Sequence, residues 1–128
     1  MNYYFAKTIP MAFDQAVIHT VEALKEEGFG VLTEIDVRAT LKMKIGVEFP
    51  KYLILGACNP ALAFEALSLE NMVGTMLPCN VVVRDAGNGQ TEVAAIDPVA
   101  SMMAIDNPPL IRTAEQVRVK LEKLIAAL

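Results

Sequence analysis

The sequence has no tryptophan, one histidine, two cysteines and no long apolar run, and each shortage closes off a class of function. The longest unbroken apolar stretch, Tyr52 to Cys58, is far short of the roughly 20 residues needed to span a bilayer. The first ten residues, MNYYFAKTIP, lack the basic segment and long apolar segment of a secretory signal. A cytoplasmic protein is the expectation, with its two cysteines as free thiols rather than a structural disulfide. Basic runs are absent too. Eleven Lys and Arg stand against fifteen Asp and Glu, for a net charge of −4. Phosphate backbones are held by clustered Lys and Arg that release counterions, so neither nucleic acid nor an anionic membrane surface is an expected partner.

Catalytic signatures are equally scarce. There is no GxSxG elbow, no phosphate loop and no GxGxxG fingerprint; the glycines of GFG and GNG read as turn glycines. Glu22, Glu26, Glu27, Glu115 and Glu122 fall on solvated faces of expected helices, where no two form a distinguishable acid–base pair. A structural zinc site needs four ligands, and the lone His19 falls on a polar helix face away from both cysteines. Met72, Met76 and Cys79 have the softness for Cu(I), but methionines one turn apart are ordinary core filler. No metal and no cofactor are expected.

What the chain does have is aliphatic surface. Its apolar fraction is 54%, against about 45–50% for typical domains even with glycine counted. A chain of 128 residues fits one domain, residues 1–128, and a two-fold homodimer is a natural sink for the excess.

Local patterns give an element order. NYYFAKT is β-prone and ends at Pro10. Residues 12–27 follow helical spacing, with Phe13, Val17, Val21 and Leu24 in one stripe. Ala12 is a poor cap for that helix, while Gly28 and Phe29 suit a Schellman ending with Phe29 folding back on Leu24. FGVLTEIDV alternates, with Val31, Thr33, Ile35 and Val37 on one face. Residues 38–45 form a short helix closed by Gly46. KYLILGAC is apolar on both faces and so internal in a sheet. Asn59 then caps a helix with Pro60 as its first residue, running to about Asn71 with Leu62, Ala66 and Leu69 inward. CNVVVRD and QTEVAAI are strands joined by AGNG. Asp97-Pro98 repeats the cap-plus-proline start of a short helix. DNPP reads as a break, and Thr113-Ala-Glu-Gln116 as the capping box of the last helix. The order is β-α-β-(α)-β-α-β-β-α-α, an α+β domain with helices layered on a sheet of about five strands.

The two cysteines are the candidate chemistry. Cys58 immediately precedes the cap of a helix, where the dipole favours a thiolate; the plain alternative is a small apolar residue at a strand end. The AGNG hairpin sets Asp85 opposite Gln90 and hence Cys79 opposite Ile96. Cys79, Asn80 and Asp97 would then gather at one end of the sheet, as candidates to hold a small polar or anionic ligand. Against this, Asp97 has its own helix to cap. Whether Cys58 and Cys79 meet is open: the helix between them carries the chain away, while VGTMLP is long enough to bring it back. The candidate ligand-binding residues are Cys58, Asn59, Cys79, Asn80 and Asp97; no catalytic residue is assigned.

The segments EEGFGVLTEIDVRATLKMKIGVEFPKYLILGACNPALAFEAL, LPCNVVV and AAIDPVA resemble a bacterial and archaeal family, domain of unknown function 302, over nearly the whole chain. The resemblance implies a small α+β domain that associates as a homodimer. It brings no activity, so no catalytic role passes to Cys58, Cys79 or Asp97. The resulting expectation is a non-catalytic, homodimeric module that binds a small ligand or a partner. The rival is a thiol-dependent protein handling sulfur transfer, redox or a soft metal through Cys58, Cys79 or both.

Overall fold

The computed structural model describes residues 2–128. Five strands, β1 (Tyr4–Ile9), β2 (Gly30–Asp36), β3 (Tyr52–Cys58), β4 (Cys79–Gly87) and β5 (Gln90–Ile96), form one sheet in the order β1-β5-β4-β3-β2. Every neighbouring pair is antiparallel. The helices are α1 (Phe13–Glu26), α2 (Val37–Ile45), α3 (Pro60–Leu69), α4 (Pro98–Met102) and α5 (Pro108–Ala126), with a 3₁₀ turn over Asn71–Met76 between α3 and β4. This is the α+β architecture and element order read from the sequence, and β3 is internal as its two-faced apolar character requires.

One sheet face carries the main core. Leu55, Ala57, Cys79, Val81, Val83, Val93 and Ala95 alternate inward along β3, β4 and β5, and α1 and α5 close over them with Ala16, Leu24, Leu121, Leu124 and Ile125. Thr20, buried on the same helix face as Leu24, satisfies its hydroxyl by donating to the Ala16 carbonyl at 2.7 Å. The expected Schellman ending of α1 is present. Phe29 N donates to Leu24 O at 2.9 Å and Gly28 N to Lys25 O at 3.0 Å, with Gly28 at φ 85° and both apolar partners buried. Ala12 offers no side-chain cap.

A second, smaller cluster sits beyond the sheet end, where Ala66 of α3, Val73, Met102 of α4 and Leu110 and Ala114 of α5 pack together. Asn107 fastens it. Its Oδ1 accepts from Leu110 N at 3.2 Å, capping α5, while its Nδ2 donates to the Leu69 carbonyl at the end of α3 at 2.9 Å.

Four local expectations are corrected. The last helix does not start at the Thr113 capping box: Asn107-Pro108 is another cap-plus-proline start, and Thr113 is a buried residue inside α5. The run Val31 to Val37 does not keep one face. A bulge between Val31 and Thr33 breaks the alternation, and Val37 already belongs to α2. The helix after Asn59 ends at Leu69, which is exposed, and the next turn tightens to 3₁₀. In the β4–β5 hairpin, a register shift between Asp85 and Gly87 pairs Asp85 with Thr91 and Val81 with Ala95, one residue away from the register expected from AGNG.

Candidate functional site

The site is a cavity of about 320 Å³ at the seam between the two core clusters. It lies where β3 ends and β4 begins. Its sheet wall is Phe29, Leu32, Ala57, Cys58, Pro78 and Cys79; its helical wall is Leu62, Ala63, Ala66 and Leu67 of α3, Pro98 and Met102 of α4, and Leu110, Thr113, Ala114 and Val117 of α5. Asn59 and Leu77 complete it. The size is at the lower end of the ~300–1,000 Å³ common for small-molecule sites.

Three Asx-Pro starts build these walls. Asn59 Oδ1 accepts from Leu62 N at 3.3 Å, so α3 springs directly from the end of β3. Asp97 Oδ1 accepts from Val99 N at 3.0 Å and Ala100 N at 3.4 Å, starting α4 beside the end of β5. Asn107 starts α5 in the same way. Proline at the first helical position fixes φ where no N–H is needed, so each chain reversal is sharp and its direction is fixed.

The lining holds no charged side chain; of its two oxygen- or nitrogen-bearing side chains, Thr113 is engaged elsewhere and Asn59 is engaged through its Oδ1. Asn59 caps α3. Thr113 donates to Glu65 Oε1 at 2.9 Å, with the Pro109 carbonyl as a second acceptor at 3.3 Å. A ligand therefore meets chiefly hydrocarbon, two thiols and the Met102 thioether.

The structure settles where the five sequence candidates go. Cys58 and Cys79 come together: Cys79 pairs with Ala57, the residue before Cys58, and both cysteines line the cavity. Opposed residues on antiparallel strands are about 5 Å apart and one residue along adds a short step, so their Cα atoms lie about 6 Å apart. Both are free thiols, Cys58 half-buried and Cys79 buried. Burial, and to a smaller degree the neighbouring Cys58, pushes the Cys79 thiol from 9.0 up to about 11. Cys79 is therefore a neutral thiol at physiological pH and a poor nucleophile.

Asn59 is at the cavity as a cap. Asn80 and Asp97 do not join it. Asn80 is exposed beside Tyr3, Tyr4, Tyr52, Val82 and Arg84, a group apart from the cavity lining. The register shift sets Cys79 level with Asp97 rather than Ile96. The Asp97 carboxylate nevertheless serves its helix, and its Oδ2 accepts from Arg118 Nε at 3.2 Å. Arg118 in turn stacks over Phe5 at 5.4 Å. The cysteine–amide–carboxylate hollow expected from the sequence is thus divided.

His19 is half-buried between α1 and α5, near Glu22, Glu26 and Lys123. Met72 and Met76 are exposed and do not line the cavity with Cys79. Among the described residues no group of three or more His, Cys, Asp or Glu is placed to hold a metal ion. Among them, too, no helix is long and apolar enough to cross a membrane. Sequence reasoning missed Met102, Leu110, Ala114 and Val117 as site residues. The signal available was Asn107-Pro108, which starts α5 early enough to bring Leu110 and Ala114 against α3.

The fold and site define an α+β domain with one helix-covered sheet face and a thiol-lined apolar cavity at the sheet end. The family model described as Domain of unknown function DUF302 matches residues 5–128, and the chain belongs to that family. The crystal structure of an uncharacterized conserved DUF302 protein from Bacillus stearothermophilus is similar over 98% of both chains, at 28% sequence identity and a TM-score of 0.90. No curated protein matches the chain.

Proposed function

We propose that the protein is a non-catalytic binding module that takes a small apolar molecule into the cavity between the sheet end, α3 and α5. The observation that supports this reading is the lining: about 320 Å³ of space walled chiefly by hydrocarbon and sulfur, with no charged side chain. Burying apolar ligand surface there gains about 25 cal/mol per Å². A polar or anionic ligand would lose its hydration and find only the Asn59 amide N–H and two weak thiol donors in exchange. The experiment is a calorimetric titration with cyclohexane, toluene and medium-chain alcohols against matched short carboxylates. Saturable binding of the apolar set alone supports the reading; binding of the carboxylates alone, or of neither set, contradicts it.

The module works as a homodimer in the cytoplasm, where free thiols persist. Two observations favour the dimer. Among the described residues no helix is layered on the sheet face opposite α1 and α5, which presents half-buried Tyr52, Ile54, Val82, Ala94 and Ile96. The nine-residue α2 buries none of its residues within the chain, with Met43 82% and Ile45 68% exposed. A helix this short is marginal without packing, and a second copy supplies the missing apolar surface. Light scattering that gives twice the chain mass, reduced to one chain mass by Ile45→Asp with Val82→Glu, is the expected result. A monomeric wild type contradicts it.

The thiol-dependent reading is favoured by one observation, the convergence of Cys58 and Cys79 on one cavity. With burial raising the Cys79 pKa, the thiol that attacks first in that reading is Cys58.

A further inference from the structure

We propose that Cys58 and Cys79 are a reversible dithiol–disulfide pair that reacts with small-molecule disulfides, and that the bond formed narrows the cavity. The geometry comes from the ladder. Ala57 pairs with Cys79, so Cys58 is one residue beyond the directly opposed position. That gives a Cα separation of about 6 Å, inside the 4.4–6.8 Å usual for disulfides. Successive strand residues point to opposite faces, which would separate two such sulfurs within a continuous ladder. Cys58, however, is the last residue of β3: it still pairs with Gly30 of β2 but lies past the β3–β4 pairing, and the chain turns immediately into the Asn59-Pro60 start of α3. Both side chains line the one cavity.

Asymmetric access sets the order of events. Half-buried Cys58 is the thiol that a disulfide arriving from solvent can reach; Cys79 is 7% exposed. The Cys58 thiolate attacks one sulfur of R–S–S–R. A Cys58–S–S–R bond forms and RS⁻ leaves, taking a proton from water. Cys79 then loses its proton to solvent and attacks the Cys58 sulfur. The protein disulfide forms and the second RS⁻ leaves and is protonated. The dithiol gives up two electrons and two protons, and R–S–S–R becomes two R–SH. Burial lowers the Cys79 thiolate fraction in either step, but as resolving thiol Cys79 attacks a sulfur already beside it, and the high effective concentration offsets that loss. The covalent bond would tie the end of β3 to the start of β4 within the sheet wall and take both thiols out of the lining. This second half rests on the binding reading above; the bond itself does not.

The test is incubation of the reduced full chain with oxidised glutathione at pH 8, followed by acid quench, alkylation and intact-mass measurement. The expected wild-type product is two hydrogens lighter than the reduced chain, monomeric, closed to alkylation and restored by dithiothreitol. Cys79→Ala is expected to stop at the Cys58–glutathione adduct. Cys58→Ala is expected to react about tenfold more slowly than an ordinary thiol: raising the Cys79 pKa from 9.0 to about 11 cuts the thiolate fraction about 100-fold at pH 8, and the greater nucleophilicity of the more basic thiolate returns about tenfold. A wild type that accumulates the glutathione adduct, forms only interchain disulfides or does not react overturns the proposal. Toluene binding is then compared between the two redox forms. At least tenfold weaker binding by the oxidised form supports narrowing, and equal binding refutes it. A reduced chain that binds no toluene defeats the binding reading and the narrowing with it, while the mass result still decides the bond.

Discussion

Ala63→Leu tests whether the seam cavity is real space. Ala63 lies in the first turn of α3 and lines the cavity. Leucine adds three methylene equivalents to that wall. At about 0.8 kcal/mol per buried methylene the gain is roughly 2.4 kcal/mol. Side-chain ordering takes back about 0.5–1 kcal/mol, and the slightly lower helix propensity a few tenths more. The net is a stabilisation of about 1–1.5 kcal/mol, or roughly 4–6 °C in Tm for a chain of this length. The same substitution in a tightly packed core costs about 1–3 kcal/mol, because the added atoms force side chains off their rotamers. The sign of the effect therefore distinguishes the two cases. Thermal and urea unfolding of wild type and variant measure it, and toluene titration shows whether the filled cavity still binds. A more stable variant with weakened binding is expected. A destabilised variant would refute the reasoning, since it would mean that the cavity cannot accept even a side chain.

Asp97→Ala removes the one oxygen that accepts both helix-capping hydrogen bonds and the partner of Arg118, and is expected to cost about 2–3 kcal/mol; Asp97→Asn keeps the cap and is expected to cost about 1 kcal/mol, both read by urea unfolding. Gly56→Ala places a methyl 2.1 Å from Thr33 Oγ1 and 2.7 Å from Pro78 Cγ, so a loss of about 1–3 kcal/mol is expected by the same assay. Cys79 gives an alkaline limb to stability. Its folded pKa of about 11 lies above the ordinary 9.0, so its contribution is complete below pH 9 and is lost as the pH rises from 9 to 11. The two-unit gap corresponds to about 2–3 kcal/mol. In Cys79→Ala that limb should flatten in a pH series of unfolding curves.

Much of the fold was legible because its signals are local. Asn59-Pro60 and Asp97-Pro98 mark helix starts by chemistry that needs no tertiary context, and Gly28-Phe29 marks a helix end in the same way. The site was only half legible. That Cys58 and Cys79 meet depends on the chain returning to the same sheet end after α3 and the 3₁₀ turn, a long-range outcome that residue spacing leaves open. The register shift between Asp85 and Gly87 was hidden for a different reason. Gly87, Asn88 and Gly89 all take positive φ, so the hairpin had a bulged solution that AGNG alone does not distinguish from a plain turn. Asn80 was misplaced for a simpler reason: it follows Cys79 in β4, and successive strand residues face opposite sides of the sheet whatever the hairpin register. Thr113 misled because a capping-box pattern also fits a buried threonine bonded to a glutamate on the neighbouring helix.

The central claim is that the space between the sheet end, α3 and α5 receives a small apolar molecule. Methyl NMR of the reduced chain, titrated with toluene, tests it most directly. The account predicts saturable shifts confined to Ala63, Ala66, Leu110, Ala114 and Met102, absent in Ala63→Leu. Shifts spread over exposed Ile18, Met43 and Ile45 with no saturation, or none at the cavity methyls, would contradict it.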